Sequence, residues 1–107
     1  MQFTLSMDVR PPEAVITVAG ELDVFTSQQL RDRLQDAVDH GCHRVLLDLD
    51  GVSFADASAL RVLSRFHRQL AEDGGLLLLV AWSPQVLRLC ELAGIDRAFQ
   101  LTDATPA

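Results

Sequence analysis

Apolar and polar residues alternate over Phe3-Thr4-Leu5-Ser6-Met7, and a stretch rich in β-branched residues, Ala14-Val15-Ile16-Thr17-Val18, follows a Pro11-Pro12 break. Two strands are predicted. The prolines suit a reversal, so the first strand should run antiparallel to the second, at or near a sheet edge. The period then changes: Leu30, Leu34, Ala37 and Val38 recur on one helical face before Gly41, and Thr26 stands three residues before Gln29, the spacing of a capping box. This predicts a helix of about four turns. Arg44 to Leu49 is apolar on both faces until its end, as in a strand at the middle of a sheet. Asp56 is placed to cap a second helix whose stripe is Ala59, Leu63, Phe66 and Leu70, closed by Gly74-Gly75. Leu76 to Val80 reads as a fourth, buried strand. Ser83 and Pro84 open a third helix with Trp82 and Leu87 as its hydrophobic staple, Gly94 ends it, and Phe99 to Leu101 reads as a short closing strand.

The order β-β-α-β-α-β-α-(β) predicts an α/β fold, with right-handed crossovers making the strands after the first parallel. The expected architecture is a mixed sheet of four or five strands with about three helices mainly on one face. The 107 residues fit one domain spanning 1–107, with a frayed tail at 103–107. An apolar fraction of 49% and 22% charged residues without a block of one sign are the composition of a globular chain rather than a disordered one.

Charge narrows the partners. Nine basic residues against fifteen acidic ones give −6, a balance that repels nucleic-acid phosphates and anionic membranes. The most apolar run, Leu76 to Trp82, falls far short of the roughly 20 residues that span a bilayer, and no basic, then apolar, leader opens the chain. A cytoplasmic location is expected. Cys42 and Cys90 lie far apart without metal-ligand spacing and read as buried, reduced thiols. All nine basic residues are arginine.

Four segments, Gly20-Glu21-Leu22-Asp23, Leu47-Asp48-Leu49-Asp50-Gly51-Val52-Ser53-Phe54, Asp56-Ala57-Ser58-Ala59-Leu60 and Leu92-Ala93-Gly94-Ile95-Asp96-Arg97-Ala98-Phe99, together resemble the STAS domain. The similarity runs from about Ala14 to Leu101. The resemblance implies a bacterial anti-sigma factor antagonist without cofactor. Such a protein, when unphosphorylated, binds an anti-sigma factor that is also its serine kinase; phosphorylation disarms it, and a serine phosphatase resets it. The family's phosphoacceptor falls on Ser58, its neighbouring aspartate on Asp56 and a further functional acidic position on Asp23. Where the family's commonest form has serine-serine-glycine, this chain has Ala57-Ser58-Ala59, so a methyl group at 59 replaces the close backbone approach of glycine. Within the same fold, a small subunit of a lipid-transport ATP-binding-cassette complex or a stress-complex scaffold module is the alternative.

The residues themselves agree with that reading. In the first turn of a helix, Ser58 should have an exposed hydroxyl and unpaired N–H groups nearby, and the helix dipole there favours an anion by about 0.3–1 kcal/mol. Purely structural roles also fit: a helix-start serine at 58, an N-cap at 56, a solvated loop carboxylate at 23. Asp48, Asp50 and Asp56 resemble the acidic pocket of a receiver domain, but that chemistry is helped by a lysine and the chain has none. His67 lies nine residues beyond Ser58, about 13 Å along the helix and near its opposite face, so no base is expected beside Ser58. His40 and His43 precede the third strand and belong to the other end of the sheet. With no metal cluster and no GxxxxGK[ST] loop, no catalytic residue is assigned. Phe54, Trp82 and Phe99 are too scattered to stack bases and are read as core or loop anchors.

Overall fold

In the computed structural model, which describes residues 2–101, the seven elements form in the expected order. They are β1 (Thr4–Arg10), β2 (Glu13–Leu22), α1 (Val24–Asp39), β3 (Arg44–Ala55), α2 (Ala57–Glu72), β4 (Leu76–Trp82) and α3 (Pro84–Ala93). The sheet order is β1-β2-β3-β4. β1 is an antiparallel edge strand joined to β2 through Pro11-Pro12, whereas β2, β3 and β4 are parallel.

Register decides which face is dry. Ala14, Ile16 and Val18 of β2 stand on the same face as Val45 and Leu47 of β3 and Leu77 and Leu79 of β4, and all seven are buried. Leu5, Met7 and Val9 extend this face along β1. The helices cover it with Leu30, Leu34 and Ala37 of α1, Ala59, Leu63, Phe66 and Leu70 of α2, and Val86, Leu87 and Cys90 of α3. The reverse face, with Val15, Leu46, Leu78 and Val80, is only half-buried. β4 is therefore an edge strand with one covered face rather than a strand buried on both.

Local signals end the helices where the sequence places them. Ser83 Oγ accepts the Val86 N–H at 3.3 Å, Pro84 follows it, and Gly94 takes the left-handed conformation at φ 74°. Two expectations fail. Phe99 to Leu101 is a turn, so the described residues hold four strands. Leu101 N–H reaches the Asp96 carbonyl at 2.8 Å, and both Phe99 and Leu101 are buried as plugs of the core. Their i, i+2 spacing imitates a strand, but no neighbouring strand pairs with them. The first helix also starts earlier than the Thr26 to Gln29 spacing suggests, because Asp23, not Thr26, is its N-cap. The expected tail at 103–107 lies outside the described residues.

Gly20, in the first segment of the family resemblance, has a backbone reason to be glycine. Its φ is +100°, and a Cβ there would lie 2.8 Å from Phe3 Cα and 2.9 Å from the Gln2 carbonyl oxygen. Gly20→Ala is expected to lower stability by at least about 1–2 kcal/mol, from the left-handed backbone alone. Urea denaturation of the two proteins checks this, with loss of midpoint as the expected result.

Candidate functional site

β2 and β3 deliver the site. Their parallel pairing runs to Leu22 opposite Ala55, and the next residues, Asp23 and Asp56, are the N-caps of α1 and α2. The Asp56 N–H donates to the Leu22 carbonyl at 3.2 Å, so the strand ends remain tied as the helices begin. Two helix N-termini thus lie side by side at the carboxyl ends of the parallel strands, where open α/β sheets generally bind ligands.

Asp23 makes a full capping box. Its Oδ1 accepts the N–H groups of Phe25 and Thr26, each at 2.9 Å, and its own N–H donates to Thr26 Oγ1 at 2.8 Å. These donors hold its carboxyl below the ordinary aspartate range, the Thr26 N–H contributing most and desolvation opposing. Thr26 is thus the third helical residue, answering the cap rather than supplying it. The solvated-loop reading of Asp23 gives way to that of an N-cap.

Asp56 holds Ser58 twice. Its Oδ1 accepts the Ser58 N–H at 2.9 Å and also the Ser58 hydroxyl. A carboxylate therefore stands beside Ser58, contrary to the expectation that no base does. In the sequence the capping role of Asp56 conceals this second contact. Ser58 Oγ lies 3.2 Å from Ser27 Oγ on α1. Since Ser58 has one hydroxyl proton and gives it to Asp56, Ser27 must donate to Ser58. Ser27 is buried at 2% exposure, and nothing in the local sequence signals its role, which depends on a contact 31 residues away.

Three further expectations change. Ser58 is half-buried, with its hydroxyl engaged rather than exposed, although it lines an open groove between α1 and α2 of about 240 Å³. The first-turn N–H groups are mostly taken: Ser58's by Asp56 Oδ1, and those of Ala59 and Leu60 by the Asp56 carbonyl at 3.1 and 3.4 Å. Ala59 is 1% exposed, so its methyl group fills the core and does not stand between Ser58 and a partner. Ala57, by contrast, is exposed.

The surroundings are unusually apolar for a surface. Val24, Phe25 and Phe54, which flank the two caps, are 50%, 75% and 49% exposed. Phe54 is thus not a core anchor, whereas Trp82 and Phe99 are buried. His67 turns away from the groove to pack against Phe99, ring centroids 4.8 Å apart and planes tilted by 56°, with its Nδ1 buried and without a hydrogen bond. His40 and His43 are exposed at the far end. Cys42 and Cys90 are buried free thiols, and burial, with Asp96 adding, pushes Cys90 up to about 11. Among the described residues no group of three or more His, Cys, Asp or Glu could hold a metal ion, and no helix is long and apolar enough to cross a membrane.

A mixed four-stranded sheet that presents an aspartate-capped serine at the start of its second helix has the features of one domain family. The STAS domain family model matches residues 4–106, and the chain belongs to that family. It is 25% identical over 104 residues to the anti-sigma F factor antagonist of Paenibacillus polymyxa, covering 96% of this chain and 89% of the relative. Among solved structures, an anti-sigma factor antagonist from Mycobacterium paratuberculosis shares the fold at a TM-score of 0.81 and 24% identity, over 96% of this chain and 87% of that one. The Bacillus cell fate determinant SpoIIAA in its phosphorylated form superposes at a TM-score of 0.71 with 25% identity, over 90% of this chain and 86% of that one.

The depressed Asp23 carboxyl gives a signed prediction. A group whose folded pKa lies below its unfolded value, about 3.9, stabilises the fold above that value and loses the contribution as pH falls through the folded one. Asp23→Ala should therefore be less stable than the parent at neutral pH, and the gap between their urea midpoints should narrow once pH drops below about 4. A gap constant with pH would assign the effect to the neutral cap geometry alone.

Proposed function

We propose that this protein is an anti-sigma factor antagonist whose affinity for its partner falls when Ser58 is phosphorylated. The observation that carries the reading is the placement of Ser58. Its hydroxyl is oriented by Asp56 and Ser27 on the rim of a groove, inside a surface made sticky by Val24, Phe25 and Phe54. Exposed apolar side chains gathered in one patch beside polar groups are a mark of a protein docking surface. The names of the relatives supply the kind of partner, an anti-sigma factor, and a relative solved in phosphorylated form supports a phosphoryl switch. The protein binds rather than catalyses, works in the cytoplasm, and takes its phosphoryl group from a serine kinase, in this reading the anti-sigma factor itself. A serine phosphatase removes it.

Phosphorylation replaces a proton donated to Asp56 with a group carrying about −1.5 to −2 charges. The switch is local: hydrogen bonding to Asp56 is lost, and a dianion sits where a partner would meet a neutral hydroxyl. The expected weakening is about 5- to 150-fold, the range of common coupling free energies. Ser58→Ala should remain binding-competent and resist phosphorylation, while Ser58→Asp should bind less tightly. Calorimetric titration against an anti-sigma factor captured from the native cell, with circular dichroism as a folding control, measures this. Equal affinity for the parent, both variants and the phosphorylated protein would refute it.

The purified chain incubated with ATP and magnesium is expected to acquire no label, since the phosphoryl donor site belongs to the kinase. With the kinase added, label should appear on Ser58 and be lost in Ser58→Ala, as read by mass spectrometry. Label acquired by the chain alone would show an active site of its own.

A further inference from the structure

The groove beside Ser58 is basic in a protein whose overall charge is −6. Arg31 of α1 and Arg61 and Arg65 of α2 line it, and no aspartate or glutamate does. Among the described residues, Arg61 and Arg65 form no ion pair, and Arg31 reaches only its exposed sequence neighbour Asp32, at 3.3 Å. Like charges gathered with a single exposed counterion among them repel one another unless a further anion joins them.

Their spacing aims them at Ser58. Arg61 is three residues further along α2, the separation at which side chains share a helix face, and Arg65 is one turn beyond it. Arg31 lies one turn beyond Ser27, whose hydroxyl touches Ser58. An arginine side chain readily spans one turn, which brings Arg61 to Ser58, while Arg65, two turns on, shares with Ser58 the lining of the groove.

We propose that Arg31, Arg61 and Arg65 form an internal receptor for the phosphoryl group of phosphorylated Ser58. The inference rests on Ser58 being the acceptor and adds what holds the phosphate afterwards. An esterified Oγ has no proton for Asp56, and the Asp56 carboxylate repels the new dianion. The helix N-terminus offers little, because the N–H groups of Ser58, Ala59 and Leu60 are taken. Rotation of the side chain to another staggered position moves the phosphoryl group off Asp56 and into the groove. There guanidinium groups donate paired, charge-assisted hydrogen bonds to its oxygens. The phosphorylated surface then has its arginine charges engaged as well as gaining a negative group.

The test installs phosphoserine at position 58 during translation of the full chain, so neither kinase nor partner enters. The second ionisation of the phosphoryl group is followed by phosphorus NMR. In an exposed peptide it falls at about 6. The expected result is a lower value in the protein, which rises by about half a unit or more in Arg61→Gln and further in the triple variant Arg31→Gln/Arg61→Gln/Arg65→Gln, because opposite charges favour the dianion. Added salt should also raise it in the parent. Arg88→Gln on α3 should leave it unchanged. The three arginines are exposed, and circular dichroism of each unphosphorylated variant verifies folding. An ionisation indifferent to Arg61→Gln and to the triple variant overturns the receptor. A phosphoserine held by the arginines in a protein that no cellular kinase marks at Ser58 would overturn the switch instead and leave the receptor standing.

Discussion

The parallel pairing of β2 with β3 through Leu22 and Ala55 is the constraint from which the site follows. It fixes where the chain leaves the sheet, and both exits are aspartates that start helices. Because the exits are adjacent strands, α1 and α2 begin together, and Ser27 and Ser58, 31 residues apart, come within 3.2 Å. Shifting either strand by one residue would turn its buried set to the open face. Hydrophobic burial thus holds the register, and the register holds the polar geometry.

Asp56 joins two tasks that are usually separate. As an N-cap it satisfies a backbone donor of α2, and with the same oxygen it orients the hydroxyl of Ser58. A carboxylate that serves both has little freedom to move, since a cap contributes about 1 kcal/mol to its helix. The Ser58 hydroxyl is consequently held in one orientation, and ordering of this kind lowers the entropic cost of any docking.

The sequence discloses what is local. Ser83, Pro84 and Gly94 bracket α3 by themselves, and Asp56 with the Ala59, Leu63, Phe66 and Leu70 stripe identifies α2, because caps and period act within a few residues. At α1 two cap patterns overlap. Asp23 with Thr26 and Thr26 with Gln29 have the same spacing, and in the fold β2 stays paired to Leu22 with Asp23 as the cap that follows it. Phe99 and Leu101 look like a strand since alternation over three residues cannot tell a strand from a turn whose ends face the core. The start of α2 at Asp56 is legible in the sequence, whereas a role of Ser58, Asp56 and Asp23 toward a partner stands on the family resemblance alone. The contact of Ser27 with Ser58 is not legible there, because it depends on what α1 brings next to α2, and no spacing within one element encodes it.

The burial of Ala59 has a consequence for how the surface of α2 is specified. Ala59, Leu63, Phe66 and Leu70 are all within 2% of full burial, so they fix the rotation of the helix about its own axis. Ser58 precedes the first of them by one residue and stands about 100° around the helix, on the border between core and solvent. Its bearing is therefore an angle set by residues that never meet a partner. A core substitution that rolled α2 by a few tens of degrees would carry the hydroxyl inward or away from Ser27 while every surface residue kept its identity.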